Sequence, residues 1–302
     1  MPRIHALVLV LACAGCAGEP AQPVEPSTTD SKPEPESEST TELAIDWRPA
    51  LGDRIREAGY VGTFVLLDPA TDTLIVAEPE PPAGTPSLAE TGFLPASTFK
   101  IPTSLIALET GVADGPEFPL TWDGVERDVE AWNHDHVLRT AYQSSVVWYY
   151  QELARRIGAE RMQHFVDAFE YGNRDIGGAI DHFWLEGALR ISPREQVEFL
   201  RRLHEGALPV ADHNLALMLD DVMVHERRAD KTIIRAKTGW ADAETQNIGW
   251  FVGSVERADR SRVYFATLIL AGQPAPETFR ADRIALSFAL LGELGWLEAA
   301  AL

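Results

Sequence analysis

Two β-rich runs near the start of the folded region and two near its end, separated by a long helix-like stretch, restrict this chain to a sheet built from distant segments. Gly62 to Asp68 and Thr73 to Glu78 are dominated by Val, Ile, Leu, Phe and Thr, and Pro69-Ala-Thr-Asp72 between them reads as a hairpin turn. Asn247 to Glu256 and Val263 to Leu270 repeat the pattern around the polar turn Arg257 to Arg262. Between the pairs, Ser145 to Ile157, Ala159 to Phe169 and Pro193 to His204 are rich in Ala, Leu, Arg, Glu and Gln, which lose little freedom in a helix. Glu277 to Leu294 reads as a terminal helix. The implied fold class is α/β, of the α+β type: an antiparallel β-sheet flanked by N- and C-terminal helices, plus a mainly helical insertion over roughly residues 101–230. No internal repeat is visible.

The N-terminal segments differ in composition. Residues 1–16 carry Arg3, an almost unbroken apolar run from Ala6 to Ala12, and small residues around Cys13 and Cys16. That run is far shorter than the roughly 20 residues a membrane-spanning helix requires, so it reads as an export signal. Both cysteines of the chain fall here, in an Ala-Cys-Ala-Gly-Cys-Ala-Gly context that resembles a bacterial lipobox. Cys16, after Ala14-Gly15, is the first choice for a lipid anchor and Cys13 the second; the alternative is an ordinary signal peptide cleaved nearby. Residues 17–43 consist largely of Pro, Glu, Ser and Thr without an aromatic side chain, and read as a disordered acidic tether.

The tether carries a net charge of −6, and residues 44–302 carry −15 of the chain's −20. Such an acidic body argues against nucleic acid or anionic headgroups as partners. Residues 44–302 contain no cysteine and are long enough to bury a core, so a single exported domain must rely on burial rather than disulfides. The expected state is a monomer or a homodimer. The expected location is the periplasm, membrane-anchored if Cys16 is lipidated.

Within the folded region, Ser97-Thr98-Phe99-Lys100 opens a long apolar-periodic stretch after Pro95-Ala96. Positions three apart share a helix face, which brings an amine within reach of a hydroxyl. A serine hydroxyl is a poor nucleophile until a neighbouring base takes its proton. The same residues also suit a serine N-cap followed by a solvated lysine. Further along come Ser145-Val146-Val147, Tyr171-Gly172-Asn173, Phe183-Trp184-Leu185-Glu186-Gly187 and Lys237-Thr238-Gly239. In this order, with S-x-x-K at the head, they resemble the class D β-lactamases, the oxacillinases of the serine β-lactamase and penicillin-binding protein superfamily. The resemblance runs from the Gly62 hairpin to the last helix, and implies that superfamily's serine β-lactamase/transpeptidase-like fold.

The resemblance implies hydrolysis of β-lactam antibiotics, and so antibiotic resistance, with Ser97 as nucleophile and Lys100 as general base for acylation and deacylation. A free lysine, with a pKa of about 10.4, is useless as a base at neutral pH, but burial lowers it by roughly 3–5 units. Phe99, Val147, Trp184 and Leu185 are the apolar residues expected around it. The resemblance further implies that the neutral amine captures carbon dioxide and becomes an N-carboxylated lysine held by the Trp184 indole N–H. Ser145 has the family position of the hydroxyl that relays a proton to the leaving lactam nitrogen; alone, it reads as a helix start. Lys237, on a strand facing Ser97, would add positive potential and assist the relay; by composition it reads as a solvated strand lysine. Thr238 and Arg280 match the pair that binds the substrate carboxylate, beside Gly239 and Trp240, and the backbone N–H groups of Ser97 and Trp240 would form the oxyanion hole. Arg283, three residues on, leaves open which arginine is a surface charge.

Tyr171 reads as structural, and Gly172 and Asn173 as turn formers. The chain departs from the family pattern at Ser254, where tryptophan is common, and in the acidic loop Trp240 to Asn247 that is expected to border the substrate mouth. Neither metal nor organic cofactor is implied beyond the carbon dioxide or bicarbonate that carboxylation needs. His134 and His136 lack a third ligand nearby and read as a surface loop. The competing readings are a penicillin-sensing receptor domain or a transpeptidase, either acylated without turnover, and a binding-only module. Sensors carry several membrane helices ahead of the domain, and transpeptidases usually have Ser-x-Asn where this chain has Ser145-Val146-Val147. Labelling of expressing cells with a fatty-acid analogue is expected to mark the mature protein; an unlabelled protein rules out lipidation at Cys16 and Cys13.

Overall fold

The computed structural model describes residues 43–79 and 81–298. The expected export signal, Cys13, Cys16 and the tether up to residue 42 lie outside the described residues. β1 (Ala44–Trp47) leads into α1 (Pro49–Glu57), whose proline stands in the first turn, where a missing N–H is harmless. β2 (Val61–Asp68) and β3 (Thr73–Ala77) form one expected hairpin. β8 (Gln246–Glu256) and β9 (Arg262–Ala271) form the other. The two hairpins join edge to edge: β2 runs antiparallel to β9, from Val61 opposite Leu270 to Leu67 opposite Tyr264. β6 (Val224–Arg227) and β7 (Ile233–Ala243) complete a seven-stranded sheet of order β1-β3-β2-β9-β8-β7-β6.

One pairing corrects the all-antiparallel expectation, because β1 lies parallel to β3. β1 is four residues long with Ala44 and Ile45 exposed, so it carries no apolar alternation for a sequence reading to detect. The longer strands alternate in a way that divides the core. Val65, Leu67, Trp250 and Val252 point to one face, where they pack with the helical subdomain. Their neighbours Phe64, Leu66, Phe251 and Val255 point to the other, against Ile55 of α1 and Phe279, Leu290 and Leu291 of α8 (Phe279–Glu293).

The helical subdomain contains α2 (Lys100–Glu109), α3 (Leu138–Gln143), α4 (Val147–Ile157), α5 (Ala159–Ala168), α6 (Pro193–His204) and α7 (Asp212–Leu217). A two-stranded ribbon of β4 (Pro119–Leu120) and β5 (His136–Val137) lies within it. α6 has the most explicit start signal. Ser192 Oγ accepts from Glu195 N–H and the Glu195 carboxylate accepts from Ser192 N–H, satisfying two donors that a helix end leaves open. The chain rejoins the sheet at Val224, a few residues before the insertion was expected to end.

At the end of β8, Glu256 is 2% exposed and accepts hydrogen bonds from Arg235, Arg260 and Arg262. Arg235 on β7 is itself 4% exposed, so the carboxylate neutralises a charge that water cannot reach. Glu256→Ala is therefore expected to lower the unfolding free energy by about 3–5 kcal/mol, read from the denaturant midpoint. A loss below about 1 kcal/mol would show that Asp220, 3.3 Å from Arg235, suffices as its counter-charge.

Candidate active site

Ser97 lies in a short 3₁₀ turn, Ala96–Phe99, that runs directly into α2 at Lys100. The tighter winding of such a turn eclipses residues three apart, which suits the S-x-x-K spacing better than a regular helix does. Lys100 Nζ lies 2.9 Å from Ser97 Oγ. Ser97 is 9% exposed and Lys100 only 1%, which excludes an N-cap serine beside a solvated lysine. Burial disfavours the ammonium and lowers the Lys100 pKa to about 7. The Tyr150 ring, 5.0 Å from Nζ, offers the amine a partial counter-charge.

The Tyr-Gly-Asn and Phe-Trp-Leu-Glu-Gly motifs converge on Phe99. Its ring meets Tyr171, Phe183 and Trp184 with centroids 5.4, 5.0 and 5.9 Å away. Phe99 is fully buried beneath the nucleophile turn, which corrects its expected place among the substrate contacts. Trp184 is buried too. Its carbonyl accepts from Ala96 N–H at 2.9 Å, while its indole Nε1–H has no hydrogen-bond partner among the described residues. Ala96 itself takes a left-handed φ of 48°, a strained conformation for a residue with a Cβ, immediately before Ser97. Gly172, at φ 54°, is required because a Cβ there would lie 2.0 Å from the Arg190 carbonyl oxygen. Asn173 holds the same loop through bonds with Arg190 and Ala188.

The second wall is built by Ser145 and β7. Ser145 is not a helix start. It occupies the turn between α3 and α4 at a left-handed φ of 56°. Lys237 Nζ donates to Ser145 Oγ at 3.0 Å, to the Thr238 carbonyl at 2.9 Å and to Thr238 Oγ1 at 3.2 Å. Lys237 is buried, not solvated, and burial together with Lys100 and Arg283 pushes its pKa well below the usual lysine range. The positive potential expected of it is thus weakened by its neighbours. Three oxygen acceptors surround Lys237 and one surrounds Lys100, so an ammonium is better satisfied at Lys237. β7 can approach the nucleophile turn because residue 239 is glycine. A Cβ there would lie 3.0 Å from the Pro95 carbonyl oxygen and 3.1 Å from Thr98 Cγ2.

Between these walls is a cleft of about 470 Å³, lined by Ser97, Ser145, Val147, Leu185, Thr238, Gly239, Trp240 and Arg280. Val147 is on the cleft wall; its neighbour Val146 is the fully buried one. The segment Trp240 to Asn247 is not a loop, since β7 and β8 continue through it to a two-residue turn at Glu244-Thr245. Arg280 is exposed at the mouth, its guanidinium 4.8 Å from the Trp240 ring centroid. Trp240 in turn donates its indole N–H to Asn247 Oδ1.

Asp242, from the acidic segment expected to border the mouth, lines the cleft together with Val129, Trp132 and Arg283, three residues that the sequence reading did not assign to it. Arg283 is no surface charge, being 7% exposed. Its spacing of four from buried Phe279 and four from buried Ser287 is the helical signal that places it on the inner stripe of α8. Val129 and Trp132 reach the mouth from a distant loop, for which the sequence offers no signal. Away from the cleft, Ser254 Oγ pairs with His204 Nε2 at 3.0 Å in the core. His136 is also buried, with Nε2 2.9 Å from the Ala131 carbonyl, which corrects its reading as a surface residue. Among the described residues no three His, Cys, Asp or Glu side chains gather to hold a metal ion.

The penicillin binding protein transpeptidase domain matches residues 62–286. The β-lactamase OXA-48 of Klebsiella pneumoniae is 49% identical over 171 residues, 57% of this chain and 64% of that protein, so this chain spans just under two thirds of its length. The probable β-lactamase YbxI of Bacillus subtilis is 37% identical over 214 residues, 71% of this chain and 76% of that protein. The class D β-lactamase YbXI from Nostoc superposes with a TM-score of 0.75 at 42% identity, over 82% of this chain and 99% of that one. Sheet, serine turn and matched span together define a penicillin-binding transpeptidase-type domain. Within that family, the chain belongs to the class D β-lactamases.

The neutral Lys100 amine is the form able to accept a serine proton. With its pKa at about 7, activity that depends on Ser97 is expected to be full above that pH and to fall about tenfold per unit below it. Stability follows the same sign. The unfolded chain keeps this proton to about pH 10.4, so the cost of burying Lys100 is full below the folded pKa and lost above the unfolded one. A pH–rate profile flat down to about pH 5 would remove Lys100 as the proton acceptor.

Proposed function

We propose that this protein hydrolyses β-lactam antibiotics through an acyl-enzyme on Ser97, and thereby confers antibiotic resistance. The observation that carries this reading is the dry Lys100 amine, 2.9 Å from the Ser97 hydroxyl, in a cleft flanked by Ser145 and Lys237. Ser97 Oγ attacks the lactam carbonyl carbon and gives up its proton towards Lys100. The C–N bond of the ring then breaks, and the nitrogen takes a proton from Ser145, which Lys237 replenishes across their 3.0 Å contact. The backbone N–H groups of Ser97 and Trp240 stabilise the oxyanion, each donor worth about 10²–10³ in rate. Thr238 and Arg280 receive the substrate carboxylate. The proton that Lys100 took passes to Lys237, which restores both amines. Water then attacks the ester carbonyl carbon and gives a proton to Lys100, which returns it to Ser97 Oγ as the ester C–O bond breaks.

The Lys100 site fits carboxylation. A neutral amine is available near pH 7, and the unpartnered Trp184 Nε1–H and the Ser97 hydroxyl are donors that would hold a carboxylate there. Addition of carbon dioxide to the amine, with loss of one proton, supplies a carboxylate-type base beside the serine. The export signal in residues 1–16, with Cys16 as lipid attachment point, supports a periplasmic and membrane-anchored location.

The test is multiple turnover of a chromogenic cephalosporin or an oxacillin-type penicillin by the full protein. One stoichiometric burst followed by no hydrolysis would make it a sensor or transpeptidase-like domain instead. Bicarbonate is expected to restore activity to carbon dioxide-depleted enzyme. Lys100→Ala is expected to lose about 10²–10⁴ in rate and to accumulate acyl-enzyme detectable by mass. Full turnover by a form without carboxylated lysine would defeat the carboxylated base.

A further inference from the structure

β7 runs along the cleft. Its pairing with β6 ends at Arg235, whereas its pairing with β8 continues to Ala243 opposite Gln246. Thr238, Trp240 and Asp242 follow at alternate positions of the strand, so their side chains share one face, and all three line the cleft. Asp242 is the one acid among the described residues that line it. It is exposed, and Gln273 Nε2 donates to its Oδ1 and, at 3.1 Å, to the neighbouring Ala243 carbonyl. Among the described residues Asp242 forms no salt bridge. A neutral amide thus fixes the carboxylate at the mouth without cancelling its charge.

Position along the strand decides what Asp242 can meet. On the reading above, the substrate carboxylate goes to Thr238 and Arg280, and the lactam carbonyl oxygen to the Trp240 N–H. In a penicillin the carboxylate, the lactam carbonyl and the acylamino side chain follow one another along the molecule. A penicillin laid on β7 in that order continues past Trp240 towards Asp242, two residues or roughly 7 Å further along the strand. The arginines stand nearer the other end: Arg283 donates to the Gly239 carbonyl, and Arg280 lies over the Trp240 ring. The cleft is therefore cationic where the carboxylate binds and anionic where the side chain lies. Val129, Trp132, Val147 and Leu185, which also line it, add no charge.

We propose that Asp242 is a specificity-determining residue that selects among β-lactams by the charge of the acyl side chain, favouring an ammonium group there and disfavouring a second carboxylate. The preference comes from Coulomb attraction or repulsion across a wet mouth, so its size is modest. The proposal rests on the β-lactam reading above and adds the class of side chain to it. It differs from a bracing role, in which Asp242 would only anchor Gln273 against the end of β7.

Three penicillins with one skeleton separate the two roles: benzylpenicillin has hydrogen on the α-carbon of its side chain, ampicillin an ammonium group and carbenicillin a carboxylate. Asp242→Asn keeps an acceptor for Gln273 and removes the charge. Relative to benzylpenicillin, it is expected to raise KM for ampicillin and to lower KM for carbenicillin, each by about two- to fivefold. Asp242→Lys is expected to move both ratios further in the same directions. Both shifts are expected to shrink as salt rises from about 0.1 to 1 M, where the screening length falls from about 10 to 3 Å. Equal changes on all three penicillins, or no change on any, show that Asp242 only braces Gln273, and overturn the proposal. Should Asp242→Asn fail to fold, Asp242→Lys serves in the same comparison. If the wild-type protein does not turn over benzylpenicillin, whose side chain carries no charge, the β-lactam reading itself fails, whatever the variants do.

Discussion

The desolvated amine of Lys100, 2.9 Å from a serine hydroxyl, is the constraint on which the rest of this structure depends. Holding it neutral costs on the order of 5 kcal/mol relative to the unfolded chain, given a pKa lowered from 10.5 to about 7. That cost is met by apolar packing. Phe99 lies between the serine and the lysine in sequence, and its ring gathers Tyr171, Phe183 and Trp184 beneath them. Motifs separated by scores of residues thus have one physical purpose, the exclusion of water from a single nitrogen. The unpartnered indole N–H of Trp184 stands out against that background, because a buried donor without an acceptor is unfavourable unless something polar joins it.

The sheet brings the other half of the site to this amine. The pairing of β2 with β9 closes the chain's two ends on each other, and the β8–β7 hairpin then sets Lys237 beside Ser145. Close approach is permitted by the absence of a side chain at Gly239. Local strain contributes as well. Ala96 and Ser145 both hold left-handed backbone conformations that cost about 1–3 kcal/mol each, and they aim the two hydroxyls of the site, at Ser97 and Ser145.

Charge is arranged against the overall composition. A folded region of net charge −15 places Arg280 and Arg283 on one cleft, with Lys237 behind its Ser145, and the cleft acid, Asp242, is held by Gln273. The net negative charge of the folded region sets an overall field that disfavours anions. A small anion that reaches the cleft meets the opposite field, concentrated by low-dielectric walls.

Much of this was legible in the chain itself. Both hairpins and the principal helices follow from local periodicity, a property of neighbouring residues, while Ser97, Lys100, Ser145, Trp184, Lys237 and Arg280 were legible as a set through the resemblance of their motifs to a known family. Other features belong to the tertiary structure alone. β1 is too short and too exposed to announce itself, and its parallel pairing with β3 is decided by where the first hairpin lies. Lys100 and Lys237 could each have been solvated; only the packing of distant aromatic residues and strands made them dry. Arg283 looked like one of two interchangeable arginines until the fold turned its stripe of α8 inward. The sequence by itself determined which chemical groups this protein carries and how far apart along the chain they stand. Their protonation and their partners were decided by the tertiary structure, because burial and Coulomb interaction depend on distance through space.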